Sequence, residues 1–160
     1  MQQNKYIFLD VDGVLNSDDY FNHEGSQPFS ISDHIDPKAV AILQTLIDAT
    51  GAVIILSSTW RHGNLLDILK QRFSDLKFTG QIIDITGSDH VANGWVRGNS
   101  IYLWLKTHVS KLSTAKYVIL DDDVDMLLFQ ADHFVHVNSQ IGLTKANVDK
   151  AIQILNRDDA

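Results

Sequence analysis

Short apolar runs alternate with longer amphipathic stretches along the whole chain. Tyr6–Val11 is an apolar run bounded by charge and predicts a buried strand. Gly13 to Pro37 is polar and irregular, with Gly25 and Pro28 as breakers. Asp36-Pro37 then reads as a helix start, with Asp as N-cap and Pro in the first turn. Val40, Leu43, Leu46 and Ile47 follow at helical spacing, and Gly51 stands just past the end. Ala52–Leu56 is a β-branched run that predicts a second strand, and Asn64 to Phe73 predicts a helix. Gln81–Thr86 predicts a third strand, 87–98 a loop, and Asn99 to His108 a helix. Lys116–Leu120 and His133–Val137 predict two further strands, with a short helix over Met126–Gln130 between them. Thr144 caps a last helix carrying Val148, Ala151, Ile152 and Leu155.

Strands alternating with helices predict an α/β fold: a doubly wound, Rossmann-like parallel sheet of five strands with helices on both faces. Neither repeats nor a linker interrupt the pattern, so residues 1–160 are expected to form one domain. Ligands of such sheets bind outside the carboxyl ends of the strands. That edge is where the polar clusters fall: Asp10 and Asp12 after the first strand, Ser57-Ser58-Thr59 after the second, and Asp121-Asp122-Asp123 after the fourth.

Composition changes this picture in three ways. A net charge of −7 argues against a chain built as a whole to sit on nucleic acid or anionic membrane, while leaving room for a local basic patch. Cysteine is absent, which removes disulfides and thiol chemistry; with no apolar window long enough for a signal peptide or membrane span, a cytoplasmic protein is expected. Of the 20 acidic residues only Glu24 is Glu, so Asp pairs arise by chance and spacing alone is weak evidence.

Position relative to the strands therefore carries the argument. Two carboxylates ~4 Å apart repel by roughly 4 kcal/mol at an effective dielectric of 20. Asp10 and Asp12 point to the same side, next to a second acidic strand end, and a hard divalent cation such as Mg²⁺ accounts for the coincidence. An EF-hand loop counted from Asp10 fails, because its sixth position is Leu15 and its twelfth Phe21. No P-loop or dinucleotide fingerprint is present. Ser57 could bind a phosphoryl oxygen; Ser58 and Thr59 suit helix capping equally well. Trp60 fits either the core or a substrate contact, and Arg61 is a further candidate contact. Arg97 opens a helix, where a cation opposes the helix dipole, so anionic oxygens nearby are its natural partners. His133 and His136 are three apart on a predicted strand, face opposite sides and cannot share a metal.

These residues together resemble the haloacid dehalogenase (HAD) superfamily of phosphatases and phosphotransferases. "FLDVDGVL" matches its first motif, Ser57 after "VIIL" the second, Arg97 in "RGNSI" the third and "VILDDDVD" the acidic fourth, in order over residues 6 to 137. In the common fourth motif the later acid would fall at Met126; the paired-Asp form fits, with Asp122 the first choice of metal ligand and Asp121 the second. "SSTWR" is similar to HAD domains associated with RNA repair proteins. The resemblance implies a Mg²⁺-dependent phosphomonoesterase: Asp10 as nucleophile, Asp12 as general acid and base, Ser57 and Arg97 stabilising the transferring oxygens. Ser58 and Arg61 would contact substrate, and Asp10, Asp12 (through its carbonyl), Asp121 and Asp122 are the metal candidates. No segment has room for a full cap domain, so a small, capless type with an open site is expected. Its substrate would be phosphorylated, with a nucleic-acid end, a nucleotide or a phosphoprotein all open; no membrane and no obligate protein partner is implied. The alternative is a receiver-like or catalytically inert phospho-binding module.

Overall fold

The structure, a computed structural model, describes residues 4–23, 30–87 and 96–157. Five strands form one parallel sheet: β1 (Lys5–Leu9), β2 (Val53–Leu56), β3 (Ile82–Ile85), β4 (Lys116–Asp121) and β5 (Phe134–His136). Their spatial order is β3-β2-β1-β4-β5, so β1 is central and the chain reverses direction across it on passing from β3 to β4. Leu9 pairs with Leu120, which places the two residues that follow, Asp10 and Asp121, beside each other at the carboxyl edge.

Side chains along β1 alternate between two buried faces, as a parallel sheet covered on both sides requires. Ile7 and Leu9 face a large core with α2 (Pro37–Thr50), α3 (Leu65–Asp75) and α5 (Lys145–Leu155). Phe8 faces a smaller core with Ile101, Trp104 and Leu105 of α4 (Arg97–His108). Each fully buried Leu, Ile or Phe of these cores contributes about 1.5–3 kcal/mol. The α/β, doubly wound expectation is met.

Helix signals written locally are realised locally. The Asp36 carboxylate accepts the Lys38 backbone N–H at 2.8 Å, Pro37 stands in the first turn, and Gly51 ends α2. Thr144 caps α5 by accepting the Asn147 N–H at 3.3 Å. The differences come from distant tethers. The stretch after Gly13, expected to be irregular, contains a short helix α1 (Asp18–Asn22) capped by Ser17. Its first turn hangs on Ser139 and Gln140, whose carbonyls accept the Asp18 and Asp19 N–H groups at 3.1 and 3.0 Å. The expected helix at Met126–Gln130 is instead a 3-10 helix over Leu128–His133, which takes His133 out of β5. Between Asp12 and Pro37 the described residues hold only α1 and a 3-10 turn at Ile31–His34, so no cap domain is present among them. Gly25 and Pro28, and most of the loop expected at 87–98, lie outside the described residues.

Candidate active site

The sheet brings Asp10, Asp121 and Asp122 together. Each offers a carboxylate oxygen, and these oxygens lie within 4.8 Å of one another. Gly13 makes the approach possible in two ways. It turns with φ +77°, a left-handed conformation open to glycine, and a Cβ there would stand 2.5 Å from the Asp122 carboxylate.

Arg97 enters from the opposite face at the start of α4. Its guanidinium donates to Asp10 Oδ1 at 3.1 Å, and its Nε stands 3.3 Å from Asp121 Oδ2, in charge contact without hydrogen-bond alignment. It also donates to the Ser57 carbonyl, fastening the end of β2 to α4. Asp125 resolves the conflict with the helix dipole: its Oδ2 accepts the Arg97 backbone N–H at 2.8 Å, capping α4 from a loop 28 residues further on. Gly98 permits the close approach, since a Cβ there would lie 2.6 Å from the Leu127 backbone nitrogen. Buried Gln130 completes the seam by donating to the Gly98 carbonyl at 2.9 Å and accepting from the Leu127 N–H.

Burial dominates the electrostatics. It pushes the Asp10 carboxyl up to about 6, against the lowering effect of Arg97. Asp121, inaccessible to solvent, is pushed up to about 8, first by burial and then by the charge of Asp10. Asp122 is raised by burial and by Asp123. Burial works against the charge on Arg97 too, but Asp10, Asp121, Asp125 and Asp123 outweigh it and raise its pKa. Three carboxylates held this close, all resisting ionisation, with a buried Asp121 Oδ2 that accepts no hydrogen bond, fit a hard divalent cation. The side chain of Asp12 is not part of this triad. Its Oδ1 accepts from the Trp60 indole N–H and from the Asn16 amide, both at 3.0 Å.

Asp10, Asp12, Arg97 and Asp122 open onto one cavity of about 460 Å³, walled in part by Phe21 and Thr59. Ser57 is buried and does not line this cavity, and its hydroxyl has no hydrogen-bond partner. Ser58 is fully buried; its hydroxyl accepts the Trp60 backbone N–H at 3.3 Å and, lying near Asp10, helps to lower the pKa of that carboxyl against burial. Arg61 lies in an adjoining recess of about 160 Å³, shared with Thr59, Arg97 and Asp123. Its guanidinium donates to the Ser58 carbonyl at 2.8 Å, and burial together with Arg97 lowers its pKa. His133 stacks on Tyr117 with ring centroids 3.9 Å apart, and His136 contacts the Asp122 carbonyl, so the two do not converge.

A sequence model of one family, the HAD domain in Swiss Army Knife RNA repair proteins, matches residues 6–148. The chain belongs to that family. No curated protein and no solved structure matches it. Membership places this HAD domain in a superfamily of hydrolases and phosphatases, and its three clustered aspartates are a donor set for a metal. The RNA-repair association suggested by "SSTWR" is that of the matched family. No helix among the described residues is long and apolar enough to cross a membrane. Motif reading missed Asn16, the indole N–H of Trp60, and the fact that the helix Asp125 caps is α4, 28 residues earlier in the chain. All three act through partners distant in sequence or in a turn, and no periodicity announces them.

Proposed function

We propose that this HAD domain is a Mg²⁺-dependent phosphomonoesterase acting through an aspartyl-phosphate at Asp10. The observation that carries this reading is the pairing of Asp10 with Arg97 across the acid triad, at the mouth of a cavity that also holds Asp12. Asp10, Asp121, Asp122 and the Asp12 carbonyl would hold the metal. When bound, Mg²⁺ supplies the positive charge that offsets repulsion between carboxylates and phosphoryl oxygens. The Asp10 carboxylate attacks phosphorus, dividing one difficult displacement into two. Asp12 gives a proton to the departing oxygen and then takes one from the water that releases phosphate. Arg97 and the Ser57 hydroxyl bind the oxygens that gain charge in the transition state; removing one such donor costs about 2.7–4 kcal/mol. The family's RNA-repair description, together with a mouth over which the described residues place no cap domain, supports a phosphorylated nucleic-acid end as substrate.

Catalytic turnover of an aryl phosphate that needs Mg²⁺ and vanishes in Asp10→Asn supports the reading. Stable stoichiometric phosphorylation without turnover would instead make the domain receiver-like. A panel of 5′- and 3′-phosphorylated oligonucleotides, nucleotides, phosphopeptides and sugar phosphates then assigns the substrate, with the oligonucleotides expected to turn over fastest.

A further inference from the structure

We infer that Trp60 and Asn16 are positioning residues for the proton transfer, holding Asp12 so that one chosen oxygen serves the leaving group. The inference rests on the phosphatase reading and adds to it a division of labour within one carboxylate. Asp12 is exposed, and an exposed Asp turns freely among staggered rotamers. Here two donors converge on a single oxygen. The Trp60 indole N–H and the Asn16 amide both bond Oδ1 at 3.0 Å, while Oδ2 accepts no hydrogen bond from the described residues.

Both donors are themselves fixed. Trp60 is 4% exposed and Asn16 3% exposed, so each lies out of solvent while the carboxylate it holds does not. The Asn16 side-chain carbonyl accepts the Gly13 N–H at 2.8 Å, tying the grip on Asp12 to the turn that leaves β1. Trp60 sits in a 3-10 turn whose start is capped by Ser58, and the preceding Ser57 N–H donates to the carbonyl of Leu9, the residue before Asp10, at 2.9 Å. The nucleophile and the proton carrier are thus registered against one short segment, "SSTW". Hydrogen bonds to a charged group are stronger than those between neutral partners, and two on one oxygen select one rotamer over its rivals.

The step this serves balances as follows. An Asp10 oxygen forms a bond to phosphorus as the bond from phosphorus to the leaving oxygen breaks. The electron pair stays on that oxygen, which takes the proton from Asp12 Oδ2. In the second half, water attacks phosphorus and loses its proton to the same Oδ2, and the bond from phosphorus to Asp10 breaks with its electrons returning to the carboxylate. An aryl leaving group of low basicity needs no proton, whereas an alkoxide of a sugar or alcohol does. Misplacing Oδ2 therefore penalises alkyl phosphates far more than nitroaryl phosphates.

The experiment compares kcat/KM for p-nitrophenyl phosphate and for an alkyl phosphate in wild type, Trp60→Phe, Asn16→Ala and Asp12→Asn. The aryl-to-alkyl ratio of kcat/KM, which reports the first half alone, is expected to rise at least tenfold in Trp60→Phe, less in Asn16→Ala and most in Asp12→Asn, while kcat falls on both substrates because the second half needs the same base. An equal loss of kcat/KM on both substrates, or no loss, overturns the inference. Phe keeps most of the ring volume, but Trp60 is buried; if that variant does not fold, Asn16→Ala reads the same ratio from a loop. Failure of both to fold would make the two residues structural and equally overturn it. Failure of the parent reading looks different: wild type would turn over neither substrate, or Asp10→Asn would remain active.

Discussion

The exits of β1 and β4 both end an apolar strand in consecutive or near-consecutive aspartates, yet they treat charge in opposite ways. At β1 each acid accepts from side-chain donors: the Arg97 cation, shared in charge contact with Asp121, for Asp10, and the neutral N–H groups of Trp60 and Asn16 for Asp12. At β4, Asp121 is wholly buried, with one oxygen bonded to the Asp123 N–H and the other lacking any hydrogen bond. Asp122 leans against Gly13 of the other strand end, and Asp125 is spent on capping α4. On the proposed reading, the β1 exit serves groups that change partners during the reaction, and the β4 exit presents negative charge to a metal held in place.

If that contrast is right, the largest effect falls on Asp10→Asn, which should lower kcat by about 10³ or more in steady-state turnover of an aryl phosphate. Arg97→Ala comes next. Loss of a preorganised donor to the transferring oxygens predicts a fall of about 10²–10³ in kcat. The same change leaves Asp10 and Asp121 buried without their cation, so the chemical-denaturation midpoint should drop as well. Asp122→Asn tests the β4 side: it should weaken Mg²⁺ activation, with added Mg²⁺ restoring part of the rate, whereas Asp12→Asn should not be rescued by the metal. The smallest effect belongs to Asp125→Ala, expected to cost about 0.5–2 kcal/mol of stability through the lost cap and to perturb turnover only through Arg97.

Proton linkage sharpens the same comparison. The folded values of about 6 for Asp10 and about 8 for Asp121 lie above the ordinary carboxylate value of 3.8. The folded state therefore binds more protons than the unfolded one across that window, and stability falls as pH rises. Metal-free protein should melt at progressively lower temperature between about pH 4 and pH 8, and saturating Mg²⁺ should flatten the slope. A metal-free melting temperature that rises over this range would contradict the burial account of both strand ends.

How much of this was written legibly in the chain depends on how local each cause is. The α2 helix was readable to its ends, because Asp36, Pro37 and Gly51 carry the whole boundary signal. The start of α4 was readable only in outline: the pattern put it near Asn99 with Arg97 at its opening, but the cap that fixes it at Arg97 comes from Asp125, in a loop that follows a later strand. His133 was expected in β5 and sits in the 3-10 helix, held by stacking on Tyr117 of the neighbouring strand. For the site, sheet topology plus motif order was enough to bring Asp10, Arg97, Asp121 and Asp122 together. Trp60 was open between core and substrate contact. The structure buries its ring and turns its N–H to Asp12, a distinction that depends on orientation and leaves no trace in spacing.

The central claim is that Asp10 forms the covalent intermediate while Asp12 moves the protons, and trapping the phosphoenzyme tests it most directly. The Asp12→Asn protein, mixed with Mg²⁺ and a labelled nitroaryl phosphate, needs no acid for the first half and lacks the base for the second. After acid quench and peptide mapping, close to one phosphoryl group per chain is expected on the peptide containing Asp10, and none in the Asp10→Asn, Asp12→Asn double variant. Label on any other residue, or phosphate release at the wild-type rate with no protein-bound label, would contradict the account.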